Sequence, residues 1–141
     1  MAGYSGTPLP QKLGIKPGHR VAAIRAPRSA HPTIALLASV APVQLKLAGK
    51  DPYDVILLFT DAEVDLAADF SRAAARLKPE GGLWVAWPKK SSGVQTDLTE
   101  NVVRDIGLAN GLVDNKVCAI DETWSGLRFV VRIKDRPKPA K

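Results

Sequence analysis

The sequence predicts an α/β chain of three layers: a mostly parallel sheet between helices, finished at its C-terminal end by an antiparallel hairpin. Three observations predict it. Asp54 leads a continuous apolar run, Val55-Ile56-Leu57-Leu58-Phe59, and continuous rather than alternating hydrophobicity marks a strand covered on both faces. A helical stripe and a second apolar strand, Leu83-Trp84-Val85-Ala86-Trp87, follow within about 34 residues, and such a unit crosses over right-handed with its strands parallel. Near the end, Asp121-Glu122-Thr123-Trp124-Ser125-Gly126 is so short a join that the strands on either side of it pair antiparallel.

Taken in order, Pro17-Gly18 turns the chain into a first strand over His19–Arg25, which Pro27 stops. Proline at the first helical position of Pro32–Ala38, with His31 before it, starts a short helix that ends before Pro42. Val43-Gln44-Leu45-Lys46-Leu47 alternates with period two and reads as a half-buried strand toward a sheet edge. After the Asp54 strand, Thr60-Asp61-Ala62-Glu63 matches a capping box, and Leu66, Phe70, Ala73 and Leu77 recur at helical spacing. Lys78-Pro79-Glu80-Gly81-Gly82 reads as the stop. A second box-like start, Asp97-Leu98-Thr99-Glu100, opens a helix with a Leu98, Val102, Ile106, Ala109 stripe and an end near Gly111. The hairpin strands fall at about 116–120 and 127–133. Trp84 and Trp87, three apart on one strand, point to opposite faces.

Composition limits the chemistry. The chain has 141 residues, 20 Lys+Arg against 14 Asp+Glu, a net charge of +6, and one cysteine. One domain, residues 1–135, is expected, followed by a basic solvated tail, 136–141. A lone Cys118 excludes an intramolecular disulfide, and its place in an apolar strand reads as an inert thiol. With only His19 and His31, neither near Cys118 nor in a zinc-protease pattern, no metal site is expected. No P-loop, nucleophile elbow or dinucleotide glycine fingerprint occurs, so common ATPase and hydrolase mechanisms lack their parts. The N-terminus has no signal-peptide pattern, and the longest apolar stretch, 33–43, is about half a membrane span, so a cytoplasmic protein with no membrane partner is expected. Charge is uneven: residues 1–50 carry +7, residues 51–131 carry −5, and residues 132–141 carry +4. Nucleic-acid binding would want interleaved aromatics, and the first fifty residues hold only Tyr4, so that reading ranks last.

The words Tyr53-Asp54-Val55-Ile56-Leu57-Leu58 and Leu77-Lys78-Pro79-Glu80-Gly81-Gly82-Leu83-Trp84-Val85, then a helix, Gly111-Leu112-Val113 and a hairpin, resemble the second half of a class I S-adenosylmethionine-dependent methyltransferase. Four further words, Gly3–Leu9, Trp84–Lys90, Thr96–Glu100 and Asp121–Leu127, resemble a small bacterial family of unknown function. The resemblance implies a Rossmann-like, methyltransferase-like sheet, truncated and degenerate. Methyltransferases of this fold bring the cofactor against a glycine-rich turn after the first strand, because only glycine lets backbone approach so closely. Here that turn reads Arg25-Ala26-Pro27-Arg28, and the acid expected after the second strand is replaced by the lysines of Val43–Lys50. A helix and a strand before Asp54 are missing too.

Ligands of open parallel sheets sit outside the carboxyl ends of the strands. That edge would gather Arg28, Thr60, Asp61, Lys89, Lys90, Ser91 and Ser92, where cations, hydroxyls and helix N-termini favour an anion. Asp121, Glu122 and Trp124 form a second candidate, paired carboxylates beside an aromatic. The leading expectation is a non-catalytic, methyltransferase-like domain that binds an anionic small molecule or a protein partner and uses no cofactor. The alternative is a methyltransferase that holds S-adenosylmethionine by an atypical turn.

Overall fold

A computed structural model describes residues 7–137. The first residues of the Gly3–Leu9 word and the last four of the basic tail lie outside the described residues. The strands are β1 (Val21–Ile24), β2 (Val43–Gln44), β3 (Tyr53–Phe59), β4 (Leu77–Pro88), β5 (Leu112–Ala119) and β6 (Trp124–Val131). The helices are α1 (Leu9–Lys12), α2 (His31–Ala38), α3 (Glu63–Ala74) and α4 (Glu100–Ala109). The strands form one sheet in the order β2-β1-β3-β4-β6-β5. β2, β1, β3 and β4 are parallel, and β6 pairs antiparallel with both β4 and β5. This is the three-layer, mostly parallel, Rossmann-like sheet with a closing hairpin that the sequence predicts.

The two faces of the sheet bury separate cores. On one, Ile56, Leu58, Val85 and Trp87 meet Leu66 and Phe70 of α3 and Val103 of α4. On the other, Leu57, Phe59, Trp84 and Ala86 meet Leu37 of α2 and Leu13, just past α1. Trp84 and Trp87 do lie on opposite faces, and the buried Trp84 indole donates to the Leu13 carbonyl at 3.1 Å. Phe70 and Phe129 meet edge to face with centroids 5.1 Å apart. In α4, a Cβ on Gly107 would stand 2.0 Å from the Phe129 ring, so glycine is what lets the helix lie against β6.

Several local expectations are corrected. Neither capping box forms as read. α3 starts at Glu63 with Ala62 at its cap position, and Asp97, from a later loop, accepts the Glu63 N–H at 2.8 Å. Thr99 rather than Asp97 caps α4, accepting from the Val102 N–H at 3.2 Å. The α4 stripe holds in part: Leu98 is buried and Val102 and Ile106 pack against the core as read, but the helix's fully buried positions are Val103 and Gly107, and Ala109 is exposed. Lys78–Gly82 is no helix stop. α3 ends at Ala74, and Leu77 already pairs with Tyr53, after which the register slips so that Val55 faces Gly82. The slip brings backbone so close that a Cβ on Gly81 would lie 2.7 Å from the Asp54 carbonyl, which explains this glycine. β1 is shorter than read because Arg25 turns left-handed, and β2 stops at Gln44, where Leu45 and Lys46 leave the sheet. The hairpin strands begin earlier than read, β5 directly after the left-handed Gly111 and β6 at Trp124, because Asp121 makes the turn tight. α1 was not foreseen, although Pro10 in its first turn is a start signal.

Candidate functional site

The carboxyl edge of the sheet begins with an anomaly. Arg25, directly after β1, has φ 57° and is the one described non-glycine residue with left-handed backbone. That conformation costs an ordinary residue roughly 1–2 kcal/mol, so its surroundings must hold it. Its guanidinium Nε donates to Asp69 Oδ2 in an ion pair, and Asp69, on α3, is only 8% exposed. The Arg25 proton is held more firmly than usual, first by that hydrogen bond and then by the Asp69 charge. Burial opposes the effect, and Asp65 and Asp61 add to it. The strained turn is thus clamped to α3 by charge.

The pair stands between two clefts, Arg25 lining one and Asp69 the other. The first, about 330 Å³, has an aromatic floor of Phe59 and Trp124, packed edge to face at 5.2 Å. Pro27 and Val94 add apolar walls, Ser29, Thr60 and Thr123 add hydroxyls, and Asp61 and Asp65 add carboxylates. The Trp124 indole N–H is buried and has no hydrogen-bond partner among the described residues. Ile24 and Leu58 at the sheet, Leu45 and Leu47 after β2, and Ala73 on α3 make the second cleft apolar. It measures about 280 Å³, with Lys46 and Arg72 as its cations.

Of the seven residues expected at this edge, only Thr60 and Asp61 line the first cleft. Thr60 is buried. Its N–H donates to Ala86 at 2.9 Å and its hydroxyl to the Ala62 carbonyl at 3.2 Å, so it ties β3 to β4 instead of capping a helix. Arg28 is exposed in a short turn and lines neither cleft. Lys89, Lys90, Ser91 and Ser92 form a tight turn after β4, where the Ser92 hydroxyl donates to the Lys89 carbonyl at 2.6 Å, and they too line neither cleft. The cationic convergence expected from the sequence does not occur at either cleft, because this turn folds back on itself.

The second candidate separates into distinct roles. Asp121 is a turn former: one oxygen accepts from the Thr123 and Trp124 N–H groups at 2.8 and 2.9 Å, the other from the Thr33 hydroxyl at 3.0 Å. Glu122 is exposed, and Trp124 is floor of the first cleft. No carboxylate pair poised for acid–base work results. Sequence reading missed Asp65, Asp69, Lys46 and Arg72. A signal for the first two was present, since Asp61, Asp65 and Asp69 fall four residues apart, one face of a helix. Among the described residues no group of three or more metal-binding side chains comes together, and no helix is long and apolar enough to cross a membrane.

A scan against protein-family models found no match, and a search of curated proteins found none either. Solved structures do match. The chain is similar to magnesium protoporphyrin IX methyltransferase from Synechocystis PCC 6803 with bound SAM, with a TM-score of 0.61 and 16% identity over 86% of this chain and 74% of that one. It is similar to a SAM-dependent methyltransferase from Aquifex aeolicus, with a TM-score of 0.60 and 12% identity over 84% of this chain and 85% of the other. It is also similar to a Methanococcus jannaschii fibrillarin pre-rRNA processing protein, with a TM-score of 0.54 and 13% identity over 89% and 69% of the two chains. The fold is that of the class I SAM-dependent methyltransferases.

Proposed function

We propose that the chain is a methyltransferase-like domain that transfers no methyl group, uses no S-adenosylmethionine and holds a small molecule in the cleft over Phe59 and Trp124. The observation that carries this reading is Arg25. Where the fold ordinarily admits a cofactor against glycine, this chain keeps the left-handed turn but fills it with an arginine clamped to Asp69. The lining of the first cleft supports a neutral or cationic occupant with an aromatic or aliphatic body, because Asp61 and Asp65 repel an anion there. The anionic partner expected from Lys89 and Lys90 therefore finds no support in this cleft. Nucleic-acid binding draws no support from Arg20 and Arg25 of the basic N-terminal half, whose side chains are spent on internal partners.

Thermal melting with two probes tests the reading. S-adenosylhomocysteine at about millimolar concentration is expected to leave the melting temperature unchanged. An aromatic amine, phenethylamine, is expected to raise it, and Asp65→Asn to remove that rise. A rise of several degrees with S-adenosylhomocysteine would restore the cofactor-using alternative.

A further inference from the structure

We infer that the second cleft is a separate binding site for a small amphipathic anion, an acid with a compact apolar body such as a monocarboxylate. Its walls supply the apolar part: Ile24 and Leu58 from the sheet, Leu45 and Leu47 from the link after β2, Ala73 from α3. Leu45 is 62% exposed, an apolar side chain left to water at the mouth of a hollow. The charges supply the rest. The one carboxylate in the lining, Asp69, is neutralised by Arg25, whereas the side chains of Lys46 and Arg72 have no ion-pair or hydrogen-bond partner among the described residues. Two uncommitted cations at an apolar hollow attract an anion and repel an amine. At about 280 Å³ the cleft is at the small end of ordinary ligand sites, which points to a single small molecule and away from a nucleotide.

The two clefts are then opposite in preference. Asp61 and Asp65 stand in one, Lys46 and Arg72 in the other, and the Arg25–Asp69 pair divides them. The inference stands independently of whether the first cleft is used.

Octanoate, octylammonium and octanol are the probes, added to the full chain and read by melting temperature and by amide proton–nitrogen spectra. Octanoate at about 1 mM should raise the melting temperature and shift the amides of Leu45, Lys46, Leu47 and Ala73, while octylammonium, whose charge suits the first cleft, should leave those four amides unshifted. Lys46→Glu with Arg72→Glu should weaken octanoate binding at least about tenfold. Both side chains are exposed and unpaired, so the unliganded protein should melt unchanged. No response to octanoate overturns the site, as do equal shifts of those four amides with octanol, which would mean apolar uptake alone. Shifts at Thr60 and Thr123 in place of Leu45 and Leu47 overturn it as well, by moving the anion to the first cleft. Binding of S-adenosylhomocysteine would refute the preceding proposal without touching this one, and silence toward octanoate would do the reverse.

Discussion

Asp54, at the amino edge of β3, carries two donors on its carboxylate: the Arg20 N–H at 2.8 Å and Lys78 Nζ at 3.0 Å, with His19 Nε2 4.0 Å away. Partial burial alone would push its pKa up. The Arg20 and Lys78 hydrogen bonds and the charges of His19 and Lys78 together outweigh burial, and the carboxyl ends below its usual range. A carboxylate held below its unfolded value of about 3.9 contributes stability above that pH, and the contribution is lost as pH falls through the folded value. Asp54→Asn should therefore cost about 1–2 kcal/mol at neutral pH and should flatten the fall in stability below about pH 4. Denaturant melts from pH 7 down to about pH 2 read both effects. Parallel acid limbs in the two proteins would take this role away from Asp54. Nothing local announces such a residue, because its partners are 34 and 24 positions away in sequence. The opposed faces of Trp84 and Trp87 were legible because strand period is a property of neighbours.

At the scale of elements, α3 shows how a helix expected in the right place can start for a different reason. Thr60 to Glu63 has the spacing of a capping box, which would start the helix at Asp61, yet the helix begins at Glu63 and the side chain on its first N–H is Asp97 from the loop between β4 and α4. That loop is laced on further by the Thr96 hydroxyl, which donates to the Asp61 carbonyl at 2.6 Å. A box needs Thr60 directly before the first helical residue, and Thr60 instead follows β3 with its N–H given to the Ala86 carbonyl. Asp97→Ala should cost about 1 kcal/mol, the usual loss of a capping side chain, whereas Glu63→Ala on the exposed face should stay within about 0.5 kcal/mol. Paired chemical denaturation of the two variants decides it, and the opposite order would return the cap to the local box. Apolar stripes placed α3 and α4, Gly111 the end of α4, and the short Asp121–Gly126 join the hairpin, each within a few residues, whereas the glycine stop read for α3 lies inside β4. Tertiary register, as in the Leu77–Gly82 slip, was beyond local pattern because it depends on what the neighbouring strand offers.

At the scale of the molecule, the β2 to β3 connection governs the site. A parallel crossover ordinarily takes a dozen or more residues and a helix, but here the eight-residue link 45–52 makes it. With no helix over that part of the sheet, the second cleft stays open beside Ile24 and Leu58. An irregular link must find partners for its backbone, and Tyr53 with two arginines provides them. The Tyr53 hydroxyl donates to Gln44 Oε1 and accepts the Ala48 N–H at 3.0 Å. Arg20 and Arg76 lie over its ring at 4.3 and 5.4 Å and donate to the Ala48 carbonyl at 2.7 and 2.8 Å. The sequence showed that a helix and strand were missing, and the alternation of residues 43–47 hid what replaced them. Tyr53→Phe keeps the ring and both stacked arginines but removes the hydroxyl that fixes Gln44 and Ala48. Its expected cost is about 1–2 kcal/mol, which for the Ala48 amide is roughly a tenfold loss of hydrogen-exchange protection. The Ile56 and Leu57 amides inside β3 should lose only what the whole fold loses. The octanoate response of the second cleft should weaken with the Ala48 amide, because Leu45 and Leu47 are positioned by the same link. Equal loss of protection at Ala48 and Ile56 would mean that the hydroxyl supports the fold as a whole and leaves the shape of the cleft to other contacts.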